Sequence, residues 1–307
     1  MAVIANTHQS FVTTTRGLRR EIPPMVLWER AQKLGIWNPA DFDYTQDAKD
    51  WAAMTDKQRE YTLMLAAQFI SGEEAVTLDL LPLIKIISEQ GHLEEEMFLT
   101  TFLWEEAKHV DFFSRVLDAW GVKSQDLAQY HPPAYSKLFY ETFPQRMKAL
   151  YDDPSPANMV RASTTYNLGI EGILAETGYY MWYSLMDSEG ILPGTRQGIR
   201  KIQMDESRHI AYGVFLISRL IVEDPSLFEI VEEIMDEMLQ YLAESNQQTE
   251  ERIGAIPFNF DYDQVMEFGM SQHSRRMAKI GKAREKTLEQ LYKTSAIEDL
   301  MEETATA

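Results

Sequence analysis

The chain has 307 residues, no cysteine and a formal net charge of −19, from 29 Lys and Arg against 48 Asp and Glu. The acidic excess disfavours nucleic acid and anionic membrane surfaces as partners, and the lack of cysteine excludes disulfides, cysteine-held iron–sulfur clusters and thiol catalysis. Because the sequence starts without an apolar signal core and has no run of about 18 uncharged apolar residues, we predict a cytoplasmic protein without a transmembrane segment.

The apolar residues follow helical periodicity throughout, with none of the alternation that is typical of strands. We predict an all-α bundle in one domain, because a boundary between residues 121 and 155 would separate the candidate site residues described below. Residues 1–54 are predicted to form an arm and a short helix that packs on the bundle. Residues 55–281 form the bundle itself, and residues 282–307 form a charged tail.

Capping signals and glycines set the predicted helix limits in chain order. A short helix over 25–34 precedes an aromatic connection that packs on the bundle. The first bundle helix begins at Thr55, which forms a capping box with Gln58. The others are predicted over about 93–120, 156–186 with Ser155 as its cap, 195–222, 226–251 and 262–280. A further helical stretch ends near residue 151 and is kinked before Pro144.

Two short motifs organise the chain, Glu106-x-x-His109 and Glu206-x-x-His209. Residues three apart are neighbours on a helix, so each Glu and its His can direct one oxygen and one nitrogen at the same ion. Two such pairs on two helices suggest a pair of metals.

A lone Glu on an apolar helix precedes each motif, Glu73 by 33 residues and Glu171 by 35. The same spacing at Glu89 and His92 lacks such a partner and runs into a helix-ending glycine, so we interpret it as accidental. One Glu from each of two helices, with one Glu-x-x-His from each of two others, is the bundle arrangement for two carboxylate-bridged metals.

The ligand types indicate the chemistry. Four carboxylates and two imidazoles form a hard oxygen and nitrogen set suited to iron or manganese, whereas the two His alone would fit zinc about as well. Because this set neutralises two divalent ions and supports higher oxidation states, we predict activation of O2. Glu105 and Asp205 directly precede the motif Glu residues, and we expect each to accept a hydrogen bond from the outer ring N–H of a ligand His.

These motifs resemble the small subunit of ribonucleotide reductase and its relatives in the ferritin-like superfamily, which implies a ferritin-like bundle. Radical-bearing small subunits have Tyr one turn after the first motif His and commonly Asp as first ligand. This chain has Phe113 and Glu73 there, as does the subgroup with a manganese/iron centre. Glu73-x-x-Val76 and Tyr166-x-x-x-x-Glu171 are also similar to the ligand-binding oxidases that resemble this subunit.

The resemblance implies one manganese and one iron ion per chain, with a di-iron pair as the alternative. Manganese would be held by Glu73, Glu106 and His109, and iron by Glu171, Glu206 and His209. It also implies a long-chain fatty acid bound through its carboxylate at the metals, a homodimer and an unidentified electron donor. In these oxidases O2 activation joins the residues equivalent to Val76 and Tyr166 by an ether bond.

Tyr166 and Glu171 pose a geometric problem, because five residues place side chains about 140° apart around a regular α-helix. That separation would keep Tyr166 away from the metals. We therefore predict a π-bulge between the two residues, a distortion that recurs at functional sites. Val76 lies one turn after Glu73 and needs no such distortion.

The sequence favours a core or dimer contact for Tyr179, and Tyr179 is also the candidate residue for an acyl-chain cavity. Two other functions stay open. One is a manganese/iron-type ribonucleotide reductase small subunit, although the C-terminal sequence lacks the bulky apolar anchors expected for docking a large subunit. The other is a fatty-acid carrier whose metals only anchor the carboxylate.

Overall fold

A computed structural model describes residues 10–122 and 126–293, so residues 1–9 of the predicted arm and 294–307 of the predicted tail lie outside the described residues. Every regular element in the described ranges is a helix, which confirms the all-α class. None of the helices described there is long and apolar enough to cross a membrane.

The helices follow the predicted order. The α-helices are Val12–Thr15, Pro23–Leu34, Thr45–Ala53, Asp56–Asp79, Leu81–Glu89, Leu93–Trp120, Pro133–Ser136, Phe143–Ala149, Pro156–Ser163, Glu176–Glu189, Pro193–Glu223, Phe228–Ile253, Tyr262–Ala283 and Leu288–Leu291. Two π-helices span Lys137–Thr142 and Thr164–Ala175, and short 3-10 turns span Pro39–Asp41, Ala128–Tyr130 and Pro225–Leu227.

Four long segments frame the bundle. They are the first bundle helix (Asp56–Asp79), the second (Leu93–Trp120), the third (residues 156–189) and the fourth (Pro193–Glu223). The first packs on the second and the third on the fourth. The helices Phe228–Ile253 and Tyr262–Ala283 cover the third, so that it is enclosed by protein along most of its length. This enclosure buries the part of the chain that carries Tyr166 and Glu171.

The predicted helix ends are confirmed where the sequence carried a capping signal. The backbone N–H of Gln58 donates to Thr55 Oγ1 at 3.3 Å, and Thr55 N–H donates to Gln58 Oε1 at 3.0 Å. Ser155 caps the third bundle helix with Pro156 in its first turn. The second bundle helix ends at Gly121, whose φ of 74° lies in the left-handed region that favours glycine.

The third bundle helix is continuous but not uniform. A π-helix over Thr164–Ala175 separates its two α-helical parts, which confirms the predicted distortion and extends it well beyond a single bulge. A second π-helix, Lys137–Thr142, lies directly before the helix that contains Pro144, where a kink was predicted.

The aromatic connection after the first short helix packs on the bundle, as predicted. Its rings contact the core cluster around Tyr61 and Phe113, and Trp51 stacks on Trp120 with ring centroids 4.7 Å apart. The sequence interpretation missed the helix Thr45–Ala53 within this connection. No side-chain cap hydrogen bond marks its start, in contrast to the bundle helices that begin after Thr55 and Ser155.

A buried ion pair fastens the described part of the arm to the second bundle helix. Glu94 is 1% exposed and accepts hydrogen bonds from both terminal nitrogens of Arg16, at 2.7 and 3.0 Å, and from the backbone N–H of Arg19 at 3.1 Å. Burial alone would raise the pKa of Glu94, but these hydrogen bonds outweigh it and lower the pKa to about 2.

Replacing Glu94 by Gln should lower the free energy of unfolding by about 1–3 kcal/mol at neutral pH, because a charge-assisted pair is lost. Since the pKa is lowered from 4.5 in the folded state, the ionised carboxylate contributes fully above about pH 4.5 and loses this contribution as pH falls toward about 2. Urea titrations at about pH 7 and pH 3.5 should therefore show a smaller difference between variant and parent at the lower pH.

Glu89→Gln provides the control, because Glu89 is 60% exposed and pairs with Lys85 at the surface. It should change the free energy of unfolding by no more than about 0.5 kcal/mol. Equal effects of the two substitutions at neutral pH would show that the arm contact does not stabilise the bundle.

Candidate metal centre

All six predicted ligand residues lie together inside the bundle, and each is no more than 5% exposed. Their side chains form two overlapping groups, in each of which the four possible ligand atoms lie within 4.8 Å of one another. The groups are Glu73, Glu106, His109 and Glu206, and Glu106, Glu171, Glu206 and His209. Because Glu106 and Glu206 belong to both groups, they occupy the position of carboxylates that bridge two ions.

Several ligand atoms in these groups have no hydrogen-bond partner among the described residues. They are Oε2 of Glu106, Oε1 of Glu171, Oε2 of Glu206 and Nδ1 of His209. A buried carboxylate oxygen or imidazole nitrogen without a partner is costly, and a bound cation removes that cost. The donor set and its unpartnered atoms therefore fit two divalent ions.

The outer nitrogens of the two His contact the predicted acidic neighbours, but the pairing crosses between helices. Nε2 of His109, on the second bundle helix, lies 3.3 Å from Asp205 Oδ2 on the fourth. Nε2 of His209, on the fourth, lies 2.9 Å from Glu105 Oε2 on the second. These contacts leave Nδ1 of each ring directed at the carboxylate cluster, so the neighbours set both ring orientation and tautomer.

Two basic residues that the sequence interpretation missed hold these acidic neighbours. Arg208 is fully buried and donates to both Glu105 and Asp205. The Lys108 ammonium lies 2.8 Å from Asp205 Oδ2 and donates to the carbonyl of Gly35 at 2.7 Å. A signal was present in the sequence, because a basic residue directly precedes the His of each motif.

Trp37 is a further missed contact, because the sequence interpretation placed it only among packed aromatics. Its indole N–H donates to Asp205 Oδ2 at 2.9 Å, and its ring stacks on His109 with centroids 6.2 Å apart. The Lys108 ammonium lies 4.2 Å from the centre of the same ring. The connection before the first bundle helix thus closes one side of the centre.

Burial and mutual contact shift the protonation of the cluster. Burial raises the pKa of Glu73 to about 8. Burial would also raise the pKa of Glu106, but the nearby imidazoles of His109 and His209 outweigh it and hold that pKa below its usual range. The pKa of both His is raised, although burial opposes the charged imidazole. At His109 the charge of Glu73 and further carboxylate contacts outweigh burial. At His209 the hydrogen bond to Glu105 and further carboxylate contacts do so. Divalent ions that bind here displace these protons.

The π-helix brings Tyr166 to the cluster. Its hydroxyl donates to Glu106 Oε1 at 3.2 Å, although a regular α-helix would direct Tyr166 away from Glu171. Asn167, which lies between Tyr166 and Glu171 in the sequence, donates through Nδ2 to Glu171 Oε2 at 3.0 Å. Val76 is buried one turn after Glu73. The structure thus gathers the predicted Val and Tyr around the same carboxylates.

A cavity of about 130 Å³ lies beside the cluster, and we call it the inner cavity. Val76 and four candidate ligand carboxylates form one part of its wall, and mostly apolar side chains form the rest. Tyr179, the candidate for such a cavity, is not among the described residues that line it. Its hydroxyl instead donates to Glu73 Oε1 at 2.9 Å, and its ring packs on Phe69, which is the residue that reaches the cavity.

Comparison with known proteins agrees with this geometry. Residues 25–283 match the family model of the ribonucleotide reductase small chain. A solved R2-like ligand-binding oxidase with an aerobically reconstituted Mn/Fe cofactor is 39% identical, with a TM-score of 0.85 over 89% of this chain and 97% of its own. A single-residue variant with an anaerobically reconstituted Mn/Fe cofactor is 40% identical, with a TM-score of 0.84 over 89% of this chain and 98% of its own. Another variant, with an aerobically reconstituted Fe/Fe cofactor, is 38% identical, with a TM-score of 0.85 over 89% of this chain and 98% of its own.

This chain belongs to the ribonucleotide reductase small chain family, among the R2-like ligand-binding oxidases. The predicted resemblance, the ferritin-like bundle and the assignment as an oxidoreductase are thereby confirmed. Glu89 and His92, which repeat the spacing of the two motifs, lie outside both candidate ligand groups. This agrees with the interpretation of their spacing as accidental.

Close contact between the third and fourth bundle helices positions Glu171 through Asn167. A methyl group on Gly213 would lie 2.1 Å from Cβ of Asn167. Gly213→Ala should therefore lower the free energy of unfolding by about 1–3 kcal/mol, since one helix must shift. Gly281→Ala is the control, because its methyl group would meet only Phe228 at 3.9 Å.

Thermal and urea unfolding of both variants measures this difference. Gly281→Ala should leave the free energy of unfolding unchanged or raise it by up to about 1 kcal/mol, through the higher helix propensity of alanine. If Gly213→Ala behaved in the same way, the two helices would not be in the close contact described.

Proposed function

We propose that this chain is an oxidase that activates O2 at a heterodinuclear centre of one manganese and one iron ion. The observation that carries the proposal is the pair of overlapping buried ligand groups with unpartnered oxygen and nitrogen atoms. Manganese is assigned to Glu73, Glu106 and His109, and iron to Glu171, Glu206 and His209. The Mn/Fe cofactors of similar oxidases support this choice, and the Fe/Fe cofactor of one variant keeps a di-iron pair as the alternative.

When bound, the metal pair supplies the reduction of O2 and the oxidation of a nearby C–H bond. The residues of the chain hold and shield it. Glu106 and Glu206, which both ligand groups share, would hold both ions, and Asp205 and Glu105 fix the two His in the tautomer that presents Nδ1. Lys108 compensates part of the carboxylate charge at Asp205. The burial of all these groups excludes bulk water from the reacting atoms.

The first C–H bond oxidised is assigned to Val76. An ether bond forms between Val76 Cβ and the Tyr166 oxygen as the Cβ–H and O–H bonds break, so the pair loses two electrons and two protons to O2. Glu106 accepts the hydrogen bond of the Tyr166 hydroxyl at 3.2 Å and is positioned to receive its proton. The inner cavity, which Val76 lines, provides space beside this bond.

The same cavity is proposed to hold a long-chain fatty acid whose carboxylate lies at the metals. Its polar end is the carboxylate cluster, where bound cations would attract an anion, and the remaining wall suits an acyl chain. The homodimer implied by the resemblance and the identity of the electron donor stay predictions.

Elemental analysis of protein produced with both manganese and iron tests the centre. We expect about one ion of each metal per chain. Glu206→Ala and Glu106→Ala should each lose most of both metals, because each removes a bridging ligand. Glu89→Ala, which alters the accidental copy of the motif spacing, should keep both. Folded parent protein without bound metal would overturn the proposed function.

Mass spectrometry of peptides after aerobic metal loading tests the crosslink. The peptides that contain Val76 and Tyr166 should be joined with the loss of two hydrogens, and loading without O2 should leave them separate. Tyr166→Phe should abolish the crosslink. Tyr212→Phe should retain it, because that buried hydroxyl donates to Glu95 outside the cluster. Separate peptides in fully metal-loaded, oxygen-exposed parent protein would favour a carrier that only anchors a carboxylate.

A further inference from the structure

A second and larger cavity, of about 420 Å³, adjoins the inner cavity, and we call it the outer cavity. The two share five lining residues, which form the boundary between them: Leu65, Gln68, Met181, Ser245 and Asn246. Because this boundary contributes to both walls, the two cavities adjoin, and together they lie between the carboxylate cluster and the C-terminal end of the helix Phe228–Ile253.

The two cavities differ in chemistry. Apolar and aromatic side chains dominate the inner wall away from the metals. The outer wall combines apolar side chains such as Ile253 and Ile256 with the hydroxyls of Thr249 and Tyr262 and the carboxylates of Glu250 and Asp263. The Tyr61 hydroxyl, in the same wall, already donates to Met181 Sδ at 3.2 Å. Among the described residues that line the outer cavity there is no Lys or Arg. The outer cavity therefore offers hydrogen bonds to a neutral group and repels an anion.

A plain acyl chain fits this path poorly once it passes the boundary. Its methyl end would displace water from the hydroxyls of Thr249 and Tyr262, beside the exposed residues Glu250 and Asp263, and would offer no hydrogen bond in its place. A chain that ends in a hydroxyl would satisfy these groups and still fill the inner cavity with methylenes. The boundary amides of Gln68 and Asn246 add further polar partners along the passage.

We propose that the two cavities bind one two-headed ligand, an ω-hydroxylated long-chain carboxylic acid. Its carboxylate lies at the metals, its methylenes occupy the inner cavity and its hydroxyl reaches the outer cavity. This inference rests on the proposed function, since it takes the metals as the carboxylate anchor. It adds the chemical class of the group at the far end of the ligand, which the metal centre does not determine.

Isothermal titration calorimetry on delipidated, metal-loaded protein tests the two-headed ligand. Four acids are compared: decanoic acid, hexadecanoic acid and the ω-hydroxy derivative of each. We expect the ten-carbon chain to end within the apolar part, so that its hydroxyl weakens binding about tenfold or more. We expect the sixteen-carbon chain to reach the outer cavity, so that its hydroxyl leaves affinity unchanged or raises it. This reversal with chain length is the expected result.

Hexadecanedioic acid tests the charge of the outer cavity. It should bind about threefold or more weakly than the ω-hydroxy acid at low ionic strength. The double variant Glu250→Gln with Asp263→Asn should remove this difference. Glu244→Gln with Glu267→Gln should keep it, because it makes the same change in net charge on the same two helices at residues outside the lining.

The outcomes separate this inference from the proposed function. If the hydroxyl weakens binding equally at both chain lengths while the plain acids bind, the two-headed ligand is wrong and the fatty-acid site stands. If the diacid binds as well as the hydroxy acid to the parent protein, the charge argument is wrong. If none of the acids binds to the metal-loaded protein, the proposed fatty-acid site fails and this inference with it.

Discussion

The structure depends on placing four carboxylates within a few ångströms of one another in an apolar interior. Like charges at this distance are strongly unfavourable without cations, and burial removes the water that would screen them. Protons on the two His offset part of this charge, but burial still raises the pKa of Glu73 to about 8. The surrounding groups serve the same end, because Arg208 and Lys108 bring two positive charges to Asp205 and its neighbour Glu105.

The bundle accommodates this centre by departing from regular helical geometry where the chemistry requires it. The π-helix rotates Tyr166 onto Glu106 and keeps Asn167 in contact with Glu171. Such a helix lacks the usual hydrogen-bond register and is stabilised here by dense contacts with the fourth bundle helix, where Gly213 permits close approach. The distortion is thus part of the ligand geometry as well as of the fold.

The sequence predicted what depends on local spacing. Helix limits followed from caps such as Thr55, and the six ligands followed from Glu-x-x-His repeats with a lone Glu before each. Even the distortion near Tyr166 could be inferred, because its spacing from Glu171 conflicted with a regular helix. Its length could not, since that depends on contacts between helices. The role of Trp37 and the hydrogen bond from Tyr179 to Glu73 could not be inferred for the same reason, because each depends on which side chain of a neighbouring element is met.

The crossed pairing of the two motifs has a consequence for how such a centre can evolve. Asp205 orients the His of the second bundle helix, and Glu105 orients the His of the fourth. Neither half of the centre is therefore complete on its own helix. A recombination event that exchanged one motif between diverged family members would disturb the imidazole orientation in both halves at once. Selection then acts on the two motifs as a single inherited unit, although about 100 residues of chain separate them.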